Sequence, residues 1–198
     1  MAMISANTKI QKESAQGIRE VSLETSLLED RKIFLSGTID MEMANDFVRE
    51  MMYLDDASGR EINIYINSVG GMIMAGMLIY DVIQAAKCPL NLYCTGQAYS
   101  MAAILLASGQ KGRRFILPHS EVMIHEPLIT EGVGGSATNI ERLSNSIQEK
   151  KSFIVELLRK HTNKDEKEIE EAIRYDNYMK PKEAIEFGIC DAVTAHMY

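Results

Sequence analysis

Apolar positions along the chain follow two periods that alternate with one another. Ala44, Phe47, Val48, Met51 and Met52 recur at the spacing of one helix face, with Asp40 placed as N-cap and Asp55 to Gly59 as the break. Ile62, Ile64 and Ile66 instead alternate with Asn63, Tyr65 and Asn67, which predicts a strand closed by a tight loop, Ser68-Val69-Gly70-Gly71. Residues 72–86 are apolar nearly all round and predict a buried helix that stops at Cys88-Pro89. Leu90, Leu92 and Cys94 alternate again. Gly96-Gln97-Ala98-Tyr99 then leads into Ser100 and an apolar helix over 101–107, ended by Gly109. Upstream, Ile33-Phe34-Leu35 reads as a short strand closed by Ser36-Gly37.

The second half is more helical. Strands are predicted over 113–117 and 121–125, separated by Pro118, and Gly132 to Gly135 reads as a loop. A long helix follows, with Ile140, Leu143, Ile147, Ile154, Leu157 and Leu158 as its stripe. Asn163 with Glu166 reads as a capping box for a helix through Ile173. Pro181 and Gly188 frame a last short helix, and residues 189–193 close as a strand. Residues 1–20 keep no period and read as mobile or ordered by a partner. The repeated strand–helix alternation predicts an α/β domain of βαβ units around a mostly parallel sheet.

Composition narrows this picture. A chain of 198 residues with 46% apolar residues suits one domain with a sizeable core. The net charge of −7 argues against nucleic-acid binding, and the basic run Lys111 to Arg114 reads as the start of a strand. Cys88, Cys94 and Cys190 are odd in number and lack C-x-x-C spacing, so reduced, buried thiols and a cytoplasmic setting are expected. No secretory signal and no membrane span is visible. The 13 methionines, against no Trp and 5 Phe, are either core filler or adaptable docking surface.

Two loops can present chemistry, 67–71 and 96–101, because each leads a strand into a helix N-terminus whose free N–H groups suit a developing oxyanion. Ser100 can cap its helix or serve as a nucleophile; the surrounding residues are not the G-x-S-x-G elbow. Among the 4 histidines, His125 at a strand end is the best-placed base; His119 lies in a turn, and His161 and His196 are expected to face solvent. Asp176, expected between two short helices, is one candidate acid among 28. Gly132 to Ala137 fits a dinucleotide fingerprint in letters, but the position of its partner acid falls inside a helix. No zinc-ligand spacing and no phosphate-binding G-x-x-x-x-G-K-[ST] occurs.

At these residues the chain resembles the proteolytic subunits of the Clp protease, the ClpP family. The resemblance is carried by Ile66 to Gly71, Ala75-Gly76-Met77 to Asp81, Gly96 to Ala102, Lys111 to Phe115, Met123 to Pro127 and Glu183 to Gly188, in family order. It implies a crotonase-like spiral α/β fold with a protruding handle helix, and a serine endopeptidase with Ser100, His125 and Asp176 as triad. It implies backbone amides of Gly71 and Met101 as oxyanion donors. The implied layout is an axial, partner-facing segment 1–26, one protease domain 27–193 with the handle in 128–161, and a tail 194–198. The implied assembly is two stacked heptameric rings, homomeric or mixed with a sister subunit. A Clp-family AAA+ unfoldase would hydrolyse the ATP and feed in unfolded polypeptides, so the chain needs no cofactor of its own.

The sequence departs from the family at Val69, usually Pro, at Tyr99, usually small, at Glu126, usually Gln, and at Tyr175, where Arg usually precedes the acid. An acid at 126 is expected to favour the imidazolium of His125. These departures suggest a divergent paralogue. Two alternatives remain: a weakly active ring-forming paralogue that needs its sister subunit, and a crotonase-type acyl-CoA enzyme.

Overall fold

The computed structural model describes residues 8–14, 17–57, 59–129, 132 and 134–197. Part of the segment before residue 20, and part of the Gly132 to Gly135 loop, lie outside them. The chain opens with β1 (Lys9–Ser14) and β2 (Gly17–Ser22), an antiparallel hairpin that the unpatterned sequence conceals, followed by α1 (Leu23–Glu29). Its residues are mostly exposed, so no apolar alternation marks them.

The body alternates β3 (Lys32–Ile39), α2 (Met41–Ala57), β4 (Ile62–Gly71), α3 (Ile73–Ala85), β5 (Leu90–Tyr99), α4 (Met101–Ala107), β6 (Arg114–Ile116) and β7 (Glu121–Ile124). Then come α5 (Ala137–His161), α6 (Glu166–Ile173), β8 (Asn177–Met179), α7 (Pro181–Phe187) and β9 (Ala192–Val193). The main sheet runs β3-β4-β5-β6-β9 with parallel pairing, β7 joins β5 in parallel, and β8 adds antiparallel to β7. This is the expected α/β class with a mostly parallel sheet. No helix among the described residues is long and apolar enough to cross a membrane.

The α2 helix begins where expected, with the Asp40 carboxylate accepting from the Met43 N–H at 2.9 Å. It buries Ala44, Phe47, Met51 and Leu54 and leaves Met52 exposed. It ends at Ala57, inside the Asp55 to Gly59 stretch expected to break it, and the Asp55 carboxylate accepts the backbone N–H groups of Lys87 and Cys88 at 3.1 and 2.8 Å. The predicted tight loops are instead strand. Gly70 and Gly71 stay in ladder with Thr38 and Ile39, and Gln97, Ala98 and Tyr99 pair with Glu121, Val122 and Met123. A bulge between Gly37 and Thr38 and the positive φ of 85° at Gly70 let the chain bend without leaving the sheet.

Other departures have equally local causes. The capping box of α6 is Asp165 with Glu168, not Asn163 with Glu166, and its two reciprocal bonds are both 2.9 Å. Tyr65, on the polar phase of its strand, stands in a row of stacked rings: Phe34, Tyr65, Tyr93 and Phe115, with centroids 5.0, 5.2 and 5.1 Å apart. One face of the sheet is therefore aromatic where alternation predicted polar. The α7 frame holds as expected, with Pro181 at its start and Gly188 at φ 97° past its end. The three cysteines are free and buried.

Arg114 opens β6, as the basic run suggested, but its guanidinium is buried. It donates to the Asp191 carboxylate at 2.5 Å and to the carbonyls of Ala107, His161 and Gly188 at 3.0, 3.0 and 2.9 Å. One side chain thus ties together the ends of α4, α5 and α7. His161, expected to face solvent, is instead half-buried and hydrogen-bonded through Nε2 to the Tyr80 hydroxyl at 2.8 Å. The helix it ends divides its stripe: Ile154, Val155, Leu157 and Leu158 join the core, while Ile140 and Leu143 are exposed.

Candidate active site

The end of β5 delivers Ser100, and the chain turns there with φ 54° and ψ −121° before α4 begins. A non-glycine residue with such a φ is strained by roughly 1–3 kcal/mol and persists only where its surroundings hold it. Here the Ser100 N–H donates to the Met123 carbonyl on β7 at 2.8 Å, and the Ser100 carbonyl accepts from Ala103 at 3.0 Å. The hydroxyl makes no cap bond to α4. It faces His125 instead, with Oγ 2.8 Å from Nε2.

His125 directly follows β7, and Pro127 turns the chain away behind it. The third residue arrives through β8. Val122, Met123 and Ile124 pair with Met179, Tyr178 and Asn177, so the same antiparallel register sets Asp176 across from His125. Its Oδ1 lies 3.9 Å from the imidazole Nδ1, and that buried Nδ1 has no hydrogen-bond partner among the described residues. Asp176 lies between α6 and α7 as expected, but directly before a short strand that the sequence does not reveal, because three residues are too few to show a period.

These side chains share one cleft of about 340 Å³, walled by Ile73, Ile104, Met123, Leu128 and Ile154, with Gly71 and Met101 on its edge. Spacing along the chain holds no signal for these apolar walls, which come from separate helices, a strand and a loop. Met101 is among the residues lining the cleft. Its side chain is buried against Gly76, where a Cβ would meet the Met101 Cγ at 2.2 Å. Gly70 is just as confined, since a Cβ there would stand 2.6 Å from the Tyr99 carbonyl oxygen and 2.8 Å from the Ser100 Cβ.

Glu126 Oε2 pairs with Lys151 Nζ on α5 at 2.7 Å. Its N–H donates to the Ile173 carbonyl at 2.8 Å, fastening the exit of β7 to the end of α6. Arg174 pairs with Glu171 at 3.6 Å, and Tyr175 is exposed. The glycine-rich stretch before α5 leads into α5 and then α6, without the following strand a dinucleotide site requires. Among the described residues no group of three or more His, Cys, Asp or Glu could hold a metal ion.

A hydroxyl hydrogen-bonded to an imidazole at a strained strand-to-helix turn, beside two glycines and a helix N-terminus, is an arrangement for attack on a carbonyl. The cleft lies where β5 and β7 end in a mostly parallel α/β sheet, a layout suited to hydrolytic chemistry. The chain belongs to the Clp protease family, whose model, described as Clp protease, matches residues 14–197. Membership makes it a Clp-type peptidase with that family's α/β fold.

Proposed function

We propose that the protein is the serine endopeptidase subunit of a barrel-shaped compartmental protease that hydrolyses unfolded polypeptides. The observation that carries this reading is the 2.8 Å contact between Ser100 Oγ and His125 Nε2. His125 Nε2 takes the Ser100 proton as Oγ attacks the scissile carbonyl carbon. The carbonyl oxygen, now an anion, receives the N–H groups of Gly71 and Met101. His125 then gives its proton to the leaving amine, and a water activated by the same nitrogen hydrolyses the acyl-enzyme. Asp176 steadies the imidazolium from the Nδ1 side; it needs to close from 3.9 Å to about 3 Å, and satisfying a buried nitrogen favours that movement. The apolar walls of the cleft suit an apolar substrate side chain.

We propose further that the subunits stack as two seven-membered rings in the cytoplasm and that an AAA+ unfoldase partner uses the ATP; membership of the Clp protease family supports a ring assembly served by an unfoldase. A fluorophosphonate probe tests the reading: Ser100 is labelled in the wild type, and S100A and H125A lose both label and peptide hydrolysis. An unlabelled Ser100 in the pure assembled protein overturns the self-sufficient form. The open 3.9 Å gap favours a second form, a paralogue that acylates only in mixed rings with a sister subunit. In that case labelling returns when the sister is added.

A further inference from the structure

We propose that Glu121 is a positioning residue that clamps the ends of three strands together, so that Ser100, His125 and Asp176 stay within reach of one another. The inference rests on the serine-peptidase reading above. Each strand involved delivers one of these residues. β5 ends at Tyr99, immediately before Ser100; β7 ends at Ile124, immediately before His125; β8 begins at Asn177, immediately after Asp176.

Glu121 opens the middle strand and uses both carboxylate oxygens. Oε1 accepts the Tyr99 hydroxyl at 2.7 Å, reaching β5. Oε2 is ion-paired with Lys180 Nζ, just past the end of β8. Above them Tyr99, Met123 and Tyr178 stand in one cross-strand row, and the rings of Tyr99 and Tyr178 meet edge to face at 5.6 Å. The cluster therefore spans the three strands with a carboxylate at its centre.

The clamp matters most for β8. That strand has three residues, and the span carrying Asp176 is fastened at one end by the bond from the Glu126 N–H to the Ile173 carbonyl. Lys180 on Glu121 fastens the other end. A one-residue slip would turn Asp176 to the opposite face of the ladder. An exposed ion pair contributes little energy by itself, and the Lys180 side chain is 72% exposed. Here its value is geometric. The lysine ammonium and the tyrosine hydroxyl hold the Glu121 carboxyl below its ordinary range, so it remains charged. The same bond pushes the Tyr99 hydroxyl up to about 12, so it remains a donor.

The test compares Y99F, E121Q, K180M and K180R with the wild type in the assembled protein. It reads kcat and KM on a fluorogenic peptide, and amide hydrogen exchange over β8. The expected result is a kcat lowered about tenfold in Y99F, E121Q and K180M with KM unchanged, and K180R restored to near the wild-type value. Exchange over β8 rises about tenfold in E121Q. Wild-type kcat in all variants, or a K180R as impaired as K180M, overturns the clamp. If wild-type Ser100 takes no fluorophosphonate label either alone or with a sister subunit added, the peptidase reading itself fails. Exchange then decides the clamp alone, and unchanged protection of β8 in E121Q overturns it.

Discussion

Gly70 and Ser100 lie so close that a single methyl on the glycine would stand 2.8 Å from the serine Cβ. The glycine is also at φ 85°, where an L side chain is strained. The strand that carries Gly71 and the turn that carries Ser100 are thus pressed together without an intervening side chain. G70A is expected to destabilise the fold by about 1–3 kcal/mol and to slow acylation of Ser100 about a hundredfold. Urea unfolding with fluorophosphonate labelling checks both, and wild-type labelling in G70A would show that the contact is incidental.

Asp176 stands 3.9 Å from an imidazole nitrogen that is buried and otherwise unpartnered among the described residues. If it closes on that nitrogen during turnover, D176A lowers kcat about 10³–10⁴-fold with little change in KM. Steady-state hydrolysis of a fluorogenic peptide measures this. A loss under about threefold would mean that the acid is dispensable.

His161 contributes a pH-dependent stability. Burial, then the positive charges of Lys160, Arg114 and Lys111, lower its pKa from 6.5 to about 4. The unfolded chain takes up the proton first as the pH falls. Stability from the neutral imidazole is therefore fully present above about pH 6.5 and is lost progressively toward about pH 4. Urea midpoints measured across this window should fall more steeply for the wild type than for H161Q. Parallel curves would remove His161 from the account.

The methionines divide by exposure. Met41, Met52, Met72 and Met74 are exposed, whereas Met51, Met101, Met123 and Met179 are buried. Mild peroxide is expected to oxidise the first group before the second in dissociated protein, as read by peptide mass spectrometry. If the exposed clusters are docking surface, ring assembly protects some of the first group. Unchanged oxidation on assembly would show that these exposed methionines are not docking surface.

Much of the fold is legible in the sequence because it obeys short-range rules. The face of α2, the Asp40 cap, the span of α4 and the Pro181 to Gly188 frame of α7 each depend on residues a few positions apart. The basic run before β6 is readable as a strand start, though not as the buried hub that Arg114 makes with three distant carbonyls. His161 defeats a local reading for a similar reason. Its sequence neighbours are charged, but its hydrogen-bond partner is Tyr80, on another helix.

The candidate site shows the same division. Helix N-termini, strand ends and the glycines beside Ser100 can be recognised from local chemistry, and the family resemblance selects Asp176 from the many acids. Local pattern cannot select it, because its placement opposite His125 depends on a three-residue antiparallel strand added to a parallel sheet. Periodicity and capping are written within a few residues of one another, so the chain alone specified most of its helices and strands and its α/β class, though not α1. Register, aromatic stacking across four strands, the Lys151 partner of Glu126 and the carboxylate joining Tyr99 to Lys180 needed the folded sheet. Each brings together groups far apart in the chain, and nothing in their local spacing records that they meet.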